Sequence, residues 1–161
     1  MKSWAEITVR TYEKILKEML NKDKYSSETE LGLRLVSIIT GIDYKELLEY
    51  SSEQFNELAK GLEFLNDVVT PSGKKEYIIK GRKFVALKNL NALTMGEAID
   101  AEVIIKDVPQ EKLLSSLLPI LIREKVGKEI VKHSAEEYKK NLDLLQDNLS
   151  VADVIHIKDF F

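Results

Sequence analysis

Apolar residues recur along most of this chain at the spacing of one face of an α-helix. In the first such segment the spacing i, i+3, i+4, i+7, i+8 is formed by Tyr12, Ile15, Leu16, Met19 and Leu20, which indicates an amphipathic helix. Further helices are predicted to begin at or near Ser27, Asp43, Ser51 or Ser52, Thr94, Pro109, Ser134 and Ser150. The pattern therefore predicts about seven or eight short helices.

Several of the predicted helices begin with a residue that can cap free backbone N–H groups. In a capping box, a Ser or Thr side chain accepts from the backbone three residues later, and a Glu at that position reaches back to the cap. Three pairs have this spacing: Ser27–Glu30, Thr94–Glu97 and Ser134–Glu137. Gly41 stands where a left-handed residue commonly ends a helix, so the second helix is expected to stop there.

The period changes to two in the middle of the chain. Residues 77–80 and 83–87 alternate as strands do and flank Gly81 and Arg82, and a pair with glycine first suits a type II′ turn. Residues 66–76 contain Pro71 and Gly73 and are predicted to form a loop. Pro119 is expected to bend or end the helix that contains it. We predict one mainly α, α+β domain over residues 1–161, with a β-hairpin at about residues 77–87.

Composition narrows the function classes. The chain has 161 residues, of which 44% are hydrophobic and 32% charged, a balance typical of a folded domain with a core. Lys and Arg number 24 against 27 Asp and Glu, so the basic surplus of most nucleic-acid-binding proteins is missing. The longest apolar run, residues 117–122, is shorter than the roughly 20 residues of a membrane span, and the N-terminus lacks the features of a secretory signal. We expect no membrane protein, and a nucleic-acid partner is the less favoured alternative, which would need a local basic face.

The residues that could carry chemistry are few. There is no cysteine, which excludes disulfides, thiolate zinc sites and a Cys nucleophile. The two histidines, His133 and His156, lie far apart in the sequence. The acidic residues near them and along the Thr94 helix, Glu97, Asp100 and Glu102 among them, are explained by helix capping and solvation. We therefore expect no catalytic site, no metal site and no cofactor.

Two segments are candidates for contact with a partner. A lone hairpin leaves unpaired backbone donors and acceptors, which another strand can satisfy; its candidate binding residues are Ile79, Lys80, Arg82 and Lys83. Lysines around a hairpin also serve to keep an exposed strand edge from pairing wrongly, and that alternative stays open. The closing Phe160 and Phe161 are large apolar residues at a chain end, where we expect them to dock on this domain or on a neighbour.

Three passages resemble small morphogenesis proteins of tailed bacteriophages. They are the opening WAEITVRTYEKI (residues 4–15), the hairpin and helix start YIIKGRKFVALKNLNALTMGEAIDAE (residues 77–102), and the ending DNLSVADVIHIKDFF (residues 147–161). The resemblance implies a tail-assembly chaperone or a small structural head–tail component. It also implies phage structural or tail proteins as partners, the tape-measure protein among them, and a location in the host cytoplasm during assembly or in the virion.

The expected function is thus a non-enzymatic assembly protein that binds other virion or tail proteins and could form a homo-oligomer. The alternative is a helical adaptor or regulatory protein that binds a protein or a nucleic acid through the basic hairpin.

Overall fold

The structure is a computed structural model that describes residues 2–87 and 90–160, except for the side chains of residues 90 and 158–160. The α-helices of the described residues are α1 (Val9–Leu20), α2 (Glu28–Thr40), α3 (Tyr44–Leu47), α4 (Ser52–Lys60), α5 (Met95–Asp107), α6 (Leu113–Leu121), α7 (Ala135–Asn148) and α8 (Val151–Val154). The strands are β1 (Glu76–Ile79), β2 (Arg82–Ala86), β3 (Ile122–Val126) and β4 (Glu129–Ile130). Short 3-10 turns occupy Trp4–Glu6, Lys22–Lys24, Glu63–Asn66, Leu90–Ala92, Gln110–Lys112 and Ile155–Phe160. The predicted α+β, mainly α class is confirmed.

The strands form one antiparallel sheet in the order β1-β2-β3-β4. The predicted hairpin is the β1–β2 pair, but it is not alone, because Val85 of β2 pairs with Arg123 of β3. A second hairpin, β3–β4, completes the sheet. The sequence IREKV of β3 does not alternate as a half-buried strand does, because it has three charged residues in a row. Two of them, Arg123 and Glu124, form ion pairs with Glu97 and Arg82. Because the strand order is β1-β2-β3-β4, the edge strands of the sheet are β1 and β4.

The turn of the first hairpin is not the predicted Gly81–Arg82 type II′ turn. Ile79 pairs with Arg82, so the two-residue loop is Lys80–Gly81. Lys80 has φ 48° and Gly81 has φ 76°, and a positive φ at both central positions defines the type I′ class. Lysine is strained in the left-handed region, so the sequence pattern predicted a turn one residue later, with glycine in its first position.

The predicted helix caps are present, with one difference of detail. Thr94 and Glu97 form a complete capping box, in which Thr94 N–H donates to the Glu97 carboxylate over 2.7 Å. Ser27 and Ser134 cap their helices through the backbone three residues on. Their glutamates bond elsewhere: the Glu30 carboxylate accepts from Ser26, and that of Glu137 accepts from Lys140 and Asn141. Gly41 ends α2 at φ 78°, as expected.

The hydrophobic core has two parts. The larger part lies between the sheet and helices α6 and α7 and includes the fully buried Phe84, Leu118, Ile120 and Leu145. The smaller part joins α1 and α2 through Ile7, Ile15, Leu35, Ile39 and Phe64. Pro119 lies inside α6, which ends two residues later at Leu121 and passes directly into β3. The sheet is therefore anchored on one face by the helices that precede and follow its third strand.

Candidate functional site

The free edge of β1 is the candidate binding site. Successive residues of an antiparallel strand bond alternately to either side. Ala86 N–H donates to Lys75 O over 3.0 Å, and the pairing of Tyr77 with Phe84 and of Ile79 with Arg82 continues the same series. The backbone groups of Glu76 and Ile78 consequently point away from β2, toward the open edge, where an extended segment could pair with them.

Ile78 adds an apolar side chain to this edge. It is 73% exposed, whereas its neighbours Tyr77 and Ile79 are 6% and 5% exposed. An exposed β-branched residue at the middle of an edge strand suits pairing with a second strand. Sequence reasoning selected Ile79, but the signal for Ile78 was available, because the alternation places consecutive residues on opposite faces of a sheet.

The four predicted hairpin residues have different roles. Ile79 is buried and its backbone faces β2, so it supports the edge rather than forming it. Lys80 lies exposed in the turn. Lys83 forms an ion pair of 2.7 Å with Glu76 across the β1–β2 pair. The Arg82 side chain is 26% exposed and forms an ion pair with Glu124. The predicted docking of Phe160 and Phe161, on this domain or on a neighbour, concerns Phe161 and the Phe160 side chain, which lie outside the described part of the chain.

Arg82 joins the sheet to α7. Its Nε donates to Glu124 Oε1 over 2.8 Å and its Nη2 to Asn141 Oδ1 over 2.7 Å. The hydrogen bond from Arg82 is the main cause that holds the pKa of Glu124 below its ordinary value. Lys140 lies 3.8 Å from the same carboxylate. The network fixes the β2–β3 pair against α7 and leaves little of the Arg82 charge for a partner.

A second set of contacts holds the start of β1. The Tyr77 hydroxyl donates to Asp153 O over 2.9 Å and contacts Lys74 O over 3.0 Å. Burial, with a smaller contribution from the Asp153 charge, raises the pKa of Tyr77 to about 12. Lys74 Nζ also lies 3.2 Å from the Asp153 carboxylate. The edge strand is thus tied to α8 at its first residues and to β2 along its length, so it is presented in a fixed orientation.

The residues considered for chemistry are explained by structure. Glu97 is buried beside Arg123 at 3.0 Å; burial alone would raise its pKa, but the bonds from Thr94 and Arg123 outweigh it and lower the pKa. His133 Nε2 lies 3.5 Å from Asp100 Oδ2, and the His133 ring packs edge-on against Tyr138. Among the described residues, no group of three or more His, Asp or Glu side chains is placed to hold a metal ion.

One exposed surface was not found from the sequence. Along α5, Met95, Ile99 and Val103 recur every fourth residue and are 78%, 55% and 51% exposed. The opposite side of the helix is also apolar around the buried Ala101, so α5 has no clear polar face. A surface helix normally has a polar face, so the lack of one in the sequence of α5 could have indicated a second contact surface.

Comparison of the chain with protein-family models, with curated proteins and with solved structures gives no match. Within residues 2–87 and 90–160, no helix is long and apolar enough to cross a membrane.

Proposed function

We propose that this chain is a non-enzymatic assembly protein that binds an extended segment of another protein along the β1 edge. The observation that carries the proposal is the outward-facing backbone of Glu76 and Ile78 on an edge strand, with Ile78 73% exposed between two buried neighbours. Strand addition supplies main-chain hydrogen bonds for affinity and alternate side chains for specificity.

The fixed position of β1 in the fold favours the binding of a partner strand along its edge. β1 is held by Tyr77 and by the ladder to β2, so little conformational entropy is lost when a second strand is added. The sheet behind it rests on α6 and α7 through the network of Arg82, Glu124 and Asn141. A pre-organised edge of this kind gives a partner strand a ready template.

The bacteriophage assignment within this proposal rests on the resemblance of residues 4–15, 77–102 and 147–161 to phage morphogenesis proteins. On that basis the partners are other virion or tail proteins, the tape-measure protein among them. The protein would act in the host cytoplasm during assembly or remain in the virion.

The ion pairs of three cations at the hairpin favour a protein over a nucleic acid as the partner. Lys74, Arg82 and Lys83 are paired with Asp153, Glu124 and Glu76, respectively. Nucleic-acid affinity depends on cations free to replace counterions at phosphates, and these three are already matched by carboxylates.

The proposal is tested by co-expression with each structural and tail protein encoded beside this gene, followed by size-exclusion chromatography. Ile78→Pro removes the outward N–H of the edge, whereas Ile78→Val keeps the N–H and the branched side chain. We expect capture of one tail or virion protein by the wild-type chain and by Ile78→Val, and loss of that capture in Ile78→Pro. Equal capture by all three proteins would refute the edge as the binding site, and capture of none of the tested proteins would refute the phage assignment.

A further inference from the structure

Strand β1 is flanked by two lysines whose charges are not balanced inside the protein. Lys75 immediately precedes β1 and Lys80 immediately follows it, and both are exposed. The other cations of the hairpin, Lys74, Arg82 and Lys83, are each paired with a carboxylate. Neither Lys75 nor Lys80 forms an ion pair with the residues that the structure describes. The open edge consequently has a free positive charge at each end.

The carboxylates of the hairpin region do not cancel these two charges. Glu76 is the acidic residue of β1, and its carboxylate lies 2.7 Å from Lys83 and 4.0 Å from Lys125, so two cations share it. The carboxylates of Asp153 and Glu124 are likewise occupied, each by a cation of the hairpin. The β1 edge therefore carries a positive excess.

Between the two lysines the edge presents apolar surface. Glu76 and Ile78 pair with Val85 and Lys83 of β2, so their side chains lie on the face of the sheet opposite to the one that packs on α6 and α7. Ile78 is 73% exposed there. A cavity of about 720 Å³ opens on the same face beside Glu76, with Val85, Ala86 and Ile130 in its wall. Directly opposite residues of adjacent strands have Cβ atoms about 5 Å apart, so apolar side chains of an added strand would contact this surface.

We propose that the segment bound along the β1 edge is acidic at both ends and apolar at its centre. This inference rests on the proposed function, because it names the chemistry of the partner at the same edge. The segment is a strand of about seven residues, with one carboxylate beside Lys80, apolar residues opposite Ile78 and Glu76, and a second carboxylate beside Lys75. Lysines at an edge discourage wrong pairing; here they repel basic segments and attract acidic ones, which gives specificity.

The backbone of the edge favours an acidic peptide over a nucleic acid. On the outward side of an antiparallel strand each residue presents both an N–H and a C=O, as Glu76 and Ile78 do here. A peptide backbone supplies a partner for both groups, whereas a phosphodiester only accepts hydrogen bonds. Two free cations also provide few of the phosphate contacts on which nucleic-acid affinity depends.

The test uses three synthetic peptides, ETVTVTE, QTVTVTQ and KTVTVTK, acetylated and amidated at their ends. Each reads the same in both directions, so either strand direction gives the same side-chain pattern. The amide resonances of Glu76 and Ile78 are followed by NMR as each peptide is added. We expect saturable shifts, with ETVTVTE binding about two- to tenfold more tightly than QTVTVTQ, the effect of two exposed ion pairs, and KTVTVTK binding most weakly. In about 1 M sodium chloride, where charges are screened beyond roughly 3 Å, the preference should largely disappear.

Two matched double variants locate the charges. Lys75→Gln with Lys80→Asn removes both free cations of the edge, and an Asn-Gly pair suits a type I′ turn, so this variant should fold. Lys22→Gln with Lys45→Gln removes two exposed lysines outside the sheet and changes the net charge equally. We expect the first variant to bind ETVTVTE and QTVTVTQ alike and the second to keep the wild-type preference.

The outcomes separate this inference from the proposed function. Equal binding of ETVTVTE and QTVTVTQ by the wild-type protein, or a preference that persists in the Lys75 and Lys80 variant, would overturn the acidic partner and leave strand addition intact. Absence of saturable shifts at Glu76 and Ile78 with all three peptides would refute the β1 edge as a binding site, and the inference with it. Tighter binding of an oligothymidylate than of ETVTVTE at these amides would assign the edge to nucleic acid and contradict the proposal.

Discussion

If β1 is an edge strand in the register described, proline substitutions at two adjacent positions should differ in their effect on stability: one should destabilise the protein strongly and the other should change its stability little. The N–H of Ile79 donates into the β1–β2 ladder, whereas that of Ile78 faces the open edge. Proline has no N–H and is tolerated in strands only where that group would face solvent. Ile79→Pro should therefore destabilise the protein strongly, and Ile78→Pro should not.

The magnitude follows from what each change removes. At Ile79 a ladder bond is lost and the carbonyl of Arg82 is left without its donor, which costs about 1–3 kcal/mol. The side chain there is 5% exposed, and one fewer buried methylene adds about 0.8 kcal/mol. The sum is about 2–4 kcal/mol. Ile78 is 73% exposed and makes no ladder bond, so its substitution should stay within about 1 kcal/mol of wild type.

The assay is urea unfolding of the three proteins followed by far-UV circular dichroism, with the free energy of unfolding taken from the midpoint and slope. A loss at Ile78→Pro equal to or larger than that at Ile79→Pro would show that the outward and inward residues of β1 have been exchanged. The proposed binding edge would then be wrong in register.

Three further predictions concern stability. The neutral Tyr77 phenol should stabilise the folded protein fully below its unfolded pKa, near 10, and this stabilisation should be lost as the pH rises through about 12, because the folded state favours the neutral phenol. In Tyr77→Phe the free energy of unfolding should change less with pH over that interval than in the wild-type protein. Thr94→Ala should lower the free energy of unfolding by about 0.5–2 kcal/mol, as measured in urea, and an unchanged midpoint would show that Thr94 does not cap α5. For Glu124, the lowered pKa means that its contribution is present above its unfolded pKa and disappears as the pH falls through the folded value. Glu124→Gln should therefore be less sensitive to acid unfolding than wild type between pH 5 and 2 (about the carboxylate range).

The parts of the fold that depend on local patterns could be predicted. The stripe of Ile15 and its neighbours predicted α1, and hydroxyl residues three positions before a glutamate predicted the starts of α2, α5 and α7. Capping and amphipathic spacing act within a few residues, so they can be recognised in the sequence without knowledge of the tertiary structure.

The parts that depend on distant partners could not be predicted. β3 contains Arg123 and Glu124, which would be unfavourable in a buried strand without Glu97 and Arg82 to pair with them. Those partners lie 26 and 42 residues away along the chain. Missing β3 made the first hairpin look isolated, and a hairpin alone is marginal in water. The first hairpin was predicted, but the residue of β1 that faces outward could be identified only once the turn at Lys80–Gly81 fixed the register. The binding role of this edge stays a prediction.

The most direct measurement of the central claim is residue-resolved amide hydrogen exchange of the protein, free and in complex with a partner protein identified by the co-expression test. In the free protein the amides of Tyr77 and Ile79 should exchange slowly because they bond to β2, and those of Glu76 and Ile78 should exchange quickly. Binding of a partner strand should slow the exchange of Glu76 and Ile78 by bringing them into a ladder. Unchanged exchange at both residues in the complex, with new protection elsewhere such as the exposed side of α5, would contradict the β1 edge as the binding site.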